Sequence, residues 1–329
     1  SYFFFIHHRR NMMTNKTLFL SYMAVAMAGI LYGGVVFGVK VLANMGMSIS
    51  ELLILPNVII VILLAPFIYK KTNNFFILSP ILILIFATTL FMTQVGEYLP
   101  LFMGLSVSLV ELFIYTQPLW TILFSVFFLH HTFKTRDAIV CTFVLLGLIT
   151  LINPFDSFHF SITGSILALL AGVGLSAFVL VNTYASNKKM SSKVFVFFSN
   201  IFLSVPFIII YPFIYNVFPH SEFMRFSLDL GWQTWTALLI YSIGCYIIAP
   251  TLLFYGSRTI PPIHSGLLLL LEPVVAICLD IIFLHFNITW NIIIGGMLII
   301  TANIYLIISE SMAKKKERLY KKDNYYGRS

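Results

Sequence analysis

Charge is what this sequence has least of. Asp, Glu, Lys and Arg together make up 10% of its 329 residues, against about 25% in soluble domains. Cysteine is nearly absent: Cys141, Cys245 and Cys278 all lie in apolar stretches, and none forms a CxxC pair. That argues against a disulfide framework or a zinc site and leaves small apolar packing residues. Phosphate-binding glycine loops, metal-ligand clusters and nucleophile motifs are missing too. No metal or other cofactor is expected, and the chain does not read as an enzyme. Nor are there the alternating segments of about ten residues that a membrane β-barrel needs.

What is present is apolar. Hydrophobic residues make up 59% of the chain and its mean hydropathy is +0.95. A hydrocarbon core of about 30 Å takes about 20 helical residues. Ten segments meet or approach that length, at 18–43, 51–69, 75–95, 101–129, 137–152, 164–186, 194–217, 234–256, 263–285 and 291–309. Only Gly96-Glu97-Tyr98-Leu99-Pro100 separates the third from the fourth. The expected fold is an all-α polytopic membrane protein. The apolar start, Tyr2 to Ile6, precedes Arg9 and Arg10 and is too short for a signal-peptide core. The first span is therefore read as retained, with Met12 or Met13 as a natural start.

The formal net charge of +8 comes from short basic clusters between apolar runs. This pattern fits membrane orientation by the positive-inside rule rather than a nucleic-acid partner. With both termini inside, every Lys and Arg except Lys40 and Arg225 falls on the inner side. Glu51, Glu97, Asp156, Glu222 and Asp229 fall outside. The basic tail after the last span is suited to anionic lipid headgroups, though a solvated stop-transfer tail explains it more simply.

Two stretches match at a fixed offset. Gln117-Pro118-Leu119-Trp120 leads to Phe128-Leu129-His130, and Glu272-Pro273-Val274-Val275 leads to Phe283-Leu284-His285, each 155 residues on. A weaker echo links Gly29–Gly33 with Gly172–Ser176. The match sets span four opposite span nine. Five spans per half is an odd number, so the halves enter the membrane from opposite sides. The expected organisation is thus two five-helix inverted repeats: residues 1–17, a cytoplasmic segment; 18–152, the first repeat; 153–163, an external linker; 164–309, the second repeat; and 310–329, the basic tail.

Polar groups inside the spans are the candidate site. An acid at the bilayer centre costs about 2.5–3.5 kcal/mol on insertion scales, so it should face the bundle interior or water. Glu272, Glu111 and Asp280 meet this description, with Glu272 the leading candidate for a proton or cationic group. Asp280 lies near an outer end, where snorkelling is cheap. Pro118 and Pro273 deprive the carbonyls of Ile114 and Leu269 of their helical partners, and such kinks line cavities or are satisfied by neighbouring helices. Tyr115 lies one turn after Glu111 on the same face. Trp120 is deep enough to line a cavity. Tyr32, Gln117, Asn182 and Asn200 serve either as ligand contacts or, more simply, as helix–helix hydrogen bonds. Lys40 reads as an isolated cation at an outer helix end. Trp232, Trp235 and Trp290 read as interfacial belt residues.

Leu271-Glu272-Pro273-Val274 followed by Ile282-Phe283-Leu284, with Gln117-Pro118-Leu119 and the five-plus-five layout, resembles the EamA-type family of drug/metabolite transporters over roughly residues 18–309. The resemblance implies ten helices around a central cavity and movement of a small organic solute by alternating access across a bacterial-type inner membrane. It departs from the family at His130 and His285, where an acidic residue is often found. The expected partners are a small-molecule substrate, membrane lipids and, for coupling, protons. The oligomeric state stays open, a homodimer among the options. The rival readings are a membrane-embedded lipid-modifying enzyme, which would need clustered His, Asp or Arg at one interface, and a channel.

Overall fold

The computed structural model describes residues 15–68, 72–103, 107–129, 134–152, 161–217, 226–284 and 289–326. The structure is 89% helical, with no strands among the described residues. The helices are α1 (Asn15–Asn44), α2 (Ile49–Ile68), α3 (Pro80–Phe102), α4 (Val107–Ile114), α5 (Gln117–Leu129), α6 (Thr135–Ile152) and α7 (Ile162–Asn187), then α8 (Ser192–Val217), α9 (Trp232–Ser242), α10 (Ala249–Gly256), α11 (Pro262–Leu269), α12 (Leu271–Leu284) and α13 (Trp290–Tyr326). A 3-10 turn at Thr72–Ile77 precedes α3, and a π-helical stretch at Ile243–Ile248 joins α9 to α10. Among the described residues ten helical stretches are long and apolar enough to cross a membrane, from Lys16–Asn44 to Trp290–Glu310. They overlap the ten expected segments one for one.

Besides the span that the π-helical stretch joins, two spans are each broken into a pair of helices, and these breaks fall where the prolines require. Pro118 cannot donate to Ile114 O, so α4 ends at Ile114 and α5 starts at Gln117, with Tyr115 and Thr116 in a turn. Pro273 acts alike on Leu269, where α11 stops and α12 starts after Leu270. A proline in a helix interior removes a hydrogen bond and clashes with the carbonyl four residues back. Both prolines are buried in protein rather than turned to lipid.

The packing has a two-fold pattern. Helix α1 lies against α10, α11 and α12, whereas α7 lies against α3, α4 and α5. Helix α2 pairs with α8, and α6 pairs with α13. The small residues that allow close approach follow suit. A Cβ on Gly29 would stand 2.9 Å from Leu268 O, and one on Gly172 would stand 2.9 Å from both Phe113 O and Ile114 O. Leu268 and Phe113 are separated by the same 155 residues as the two prolines. Small residues let membrane helices approach backbone to backbone.

The third span departs from expectation at both ends. It starts at Pro80 rather than 75, because Thr72–Ile77 coils into the 3-10 turn. At its far end α3 runs through Gly96 and Pro100 to Phe102, where a boundary was expected. Gly96 marks a contact instead of a loop, since a Cβ there would meet Leu167 O of α7 at 2.3 Å and Ala171 Cβ at 2.6 Å. We expect Gly96→Val to force α3 and α7 apart at a cost of about 1–3 kcal/mol, read as a lower midpoint in thermal unfolding of the purified protein; an unchanged midpoint would contradict this contact.

Helix α13 continues through the basic segment to Tyr326. Trp232 and Trp290, at the starts of α9 and α13, are 76% and 77% exposed. His130, His131, His285, Asp156, Glu222, Arg225, Lys70, Lys71, Arg9, Arg10, Met12 and Met13 lie outside the described residues.

Candidate functional site

A cavity of about 380 Å³ opens at the centre of the bundle, lined by α1, α3, α4, α7, α8 and α10–α12 with the turns that join them. Five of the expected candidates meet in its wall: Glu272, Glu111, Tyr115, Tyr32 and Asn200. Ile114 and Leu269, the residues four before the two prolines, line it too. The helix breaks thus adjoin the cavity, while Pro118 and Pro273 themselves are not among its lining residues.

Glu97 joins this wall. It was expected outside the spans, but the continuation of α3 carries it inward. Glu97, Glu111 and Glu272 lie within electrostatic reach of one another, and the Tyr115 side chain hydrogen-bonds Glu272. The remaining wall is largely apolar and aromatic, with Phe178 and Tyr246 beside Tyr32 and Tyr115. Three acids from three spans thus converge on one apolar chamber. Glu97 had a readable signal, an acid in a largely apolar stretch, but glycine and proline around it suggested a loop.

Lys40 also lines the cavity, and it is not isolated as its sequence context implied. It forms an ion pair with Asp280 of α12, 240 residues away, its side chain 45% exposed and that of Asp280 8%. A mutual partner for two charges at the same end of their spans costs less than two separate desolvations. Lys40→Asp should weaken the protein and Lys40→Asp with Asp280→Lys should restore much of the loss. Thermal midpoints of the three variants check this, and no recovery in the double variant would argue against the pair.

Three further candidates act as ties between or within helices, away from the cavity wall. Asn182 Nδ2 donates to Ser257 Oγ at 2.9 Å. Gln117 Nε2 donates to Thr121 Oγ1 at 2.9 Å, and Thr121 donates on to Ser176 Oγ at 3.0 Å. Trp120 Nε1 donates to Thr116 Oγ1 at 3.1 Å.

At the other end of α1 lies a buried polar network that sequence inspection did not single out. Tyr22 of α1 hydrogen-bonds His264 Nδ1 of α11. His264 Nε2 reaches Asp137 Oδ1 of α6 at 3.2 Å, and Arg136 bridges Asp137 to Glu310 of α13. Asp137 and His264 are each 1% exposed. Along α1, Tyr22 and Lys40 are about 27 Å apart at 1.5 Å per residue. Polar links thus join α1 to the ninth span at both ends of the bundle, with the cavity between them and extending to Lys40.

The fold and its central chamber define an integral membrane protein of the polytopic α-helical class. Residues 162–308 match the model of the EamA-like transporter family, the family that the sequence resembles. The chain is also similar to a solved crystal structure, with a TM-score of 0.67 and 15% identity over 86% of this chain and 94% of that one. Likeness at that identity speaks for the fold alone. No match was found among curated proteins.

Proposed function

We propose that the protein is a secondary transporter that moves a small organic solute across a bacterial-type inner membrane by alternating access, in efflux or exchange. The observation that carries this is the central chamber, where Glu97, Glu111 and Glu272 from three spans meet in an otherwise largely apolar wall. Ligand sites take this form, mostly apolar with a few convergent polar groups, and intramembrane acids mark solute or proton pathways. The EamA-like match over residues 162–308 supports the transport class. The two-fold helix pairing supports two inverted repeats, whose rocking would expose the chamber to one side and then the other.

In this mechanism the ends of the bundle are the gates. The Tyr22–His264–Asp137 network closes one end, and Lys40–Asp280 stands at the other. Glu272, beside the break at Leu270, holds a proton or a cationic group of the solute and changes partners as the halves move. Both termini are cytoplasmic in this reading, because the positive-inside pattern covers all Lys and Arg but Lys40 and Arg225. Reporter fusions after Asp156 and after Lys189 should report opposite faces; the same face for both would break the orientation. The function itself is tested by uptake and efflux in proteoliposomes against a broad metabolite panel, with and without a proton gradient. Accumulation of at least one solute above empty vesicles is expected, and no flux for any panel member would count against the reading.

A further inference from the structure

The hydrogen-bonding groups of the chamber are unequally committed, and that imbalance selects a ligand. Most of its donors already have acceptors. Thr93 Oγ1 donates to Thr89 O at 2.8 Å and Ser199 Oγ to Phe195 O at 2.8 Å. The Lys40 ammonium pairs with Asp280, and the Tyr115 side chain is engaged by Glu272. Tyr246 shares a hydrogen bond with Tyr241 at 3.3 Å.

The acceptors are in surplus. Asn200 lines the chamber and is 2% exposed; its Nδ2 is held by Val196 O at 2.7 Å, and its buried Oδ1 has no partner. Gln94, 9% exposed and also on the wall, has an unpartnered Oε1. To these are added the carboxyl oxygens of Glu97, Glu111 and Glu272. A buried acceptor without a donor costs about 1–3 kcal/mol, so a ligand that brings donors gains where one that brings acceptors loses. An anion would meet three acids and, among the described lining residues, one cation, Lys40, which is already paired. The rings of Tyr32, Tyr246 and Phe178 fit an apolar frame and attract a cation through their faces.

We infer that the chamber binds a protonated primary amine carried on an apolar or aromatic frame, with the ammonium N–H groups directed to Asn200 Oδ1, Gln94 Oε1 and the carboxyl groups of Glu97, Glu111 and Glu272. This rests on the transport reading for its biological sense, but binding is separable from flux.

The test is equilibrium binding to the full chain in lipid nanodiscs with three probes of one frame: phenethylammonium, its N,N,N-trimethyl derivative and 3-phenylpropionate. The primary amine should bind at least about tenfold more tightly than either other probe, since only it offers both positive charge and N–H donors. Asn200→Leu, which adds no charge, should weaken phenethylammonium severalfold and leave the trimethyl probe unchanged. Glu272→Gln should weaken both cations. Equal or tighter binding of 3-phenylpropionate would overturn the inference. So would a trimethyl probe as tight as the amine, or no saturable amine binding at millimolar concentration. If the amine binds as expected but no solute crosses in proteoliposomes, the site stands and the transport reading falls.

Discussion

Glu272→Gln should lower solute flux about 10- to 100-fold while the protein still inserts and melts near the wild-type temperature. The estimate follows from losing one hydrogen bond to a charged group, about 1.5–3 kcal/mol, at about tenfold for every 1.4 kcal/mol. Glutamine keeps the length of the side chain and can still accept from Tyr115, but it cannot ionise. Glu272 also stands two residues after the break at Leu270, where the backbone is free to adjust as its partner changes. If Glu272 were only a neutral tie between helices, glutamine would serve nearly as well. Initial rates in proteoliposomes, compared at equal protein content, separate the two cases; wild-type flux in the variant would remove Glu272 from the mechanism.

Asp137→Ala should be the most destabilising single change among the polar residues. It would leave His264 and the bridge through Arg136 to Glu310 without their shared acceptor at a site where Asp137 and His264 are each 1% exposed. Breaking a buried pair costs about 3–5 kcal/mol because the remaining partner stays desolvated. Asp137 Oδ2 also accepts from Lys134 N at 3.3 Å, just ahead of α6, so the first turn of that helix loosens as well. The thermal midpoint should fall by something on the order of 10 °C. Replacing both members, Asp137→Leu with His264→Leu, should recover part of the loss by removing both desolvated groups. A midpoint within a degree or so of wild type for Asp137→Ala would show that the network does not hold this end together.

These two residues also mark how far the sequence could be read. Spans were legible because hydrocarbon imposes a length and a composition, so ten apolar segments stood out. The breaks at Tyr115–Thr116 and Leu270 were legible because proline has a fixed backbone consequence. Glu111 and Glu272 stood out as acids in apolar runs. The errors came where one residue type has two uses. Gly96 and Pro100 read as a loop, but Gly96 serves a close helix contact, and the error hid Glu97 from the site. Long-range pairing was hidden in a different way. Lys40 and Asp280 are 240 residues apart and His264 and Asp137 are 127 apart. A span-by-span reading sees each charge at a helix end, where snorkelling explains it, and has no means to choose partners across the bundle. The unsatisfied oxygens of Asn200 and Gln94 depend on which neighbours face them, a property only the packed bundle has.

The most direct test of alternating access at the central chamber is counterflow. Proteoliposomes are loaded with an excess of a transported solute and diluted into a trace of the same solute in labelled form, with no ATP present. A carrier whose one site faces each side in turn should take up the label transiently above its equilibrium level, and the uptake should saturate with outside concentration. Label that only equilibrates, at a rate linear in concentration and indifferent to what is loaded inside, would mean an open pore and would contradict the account.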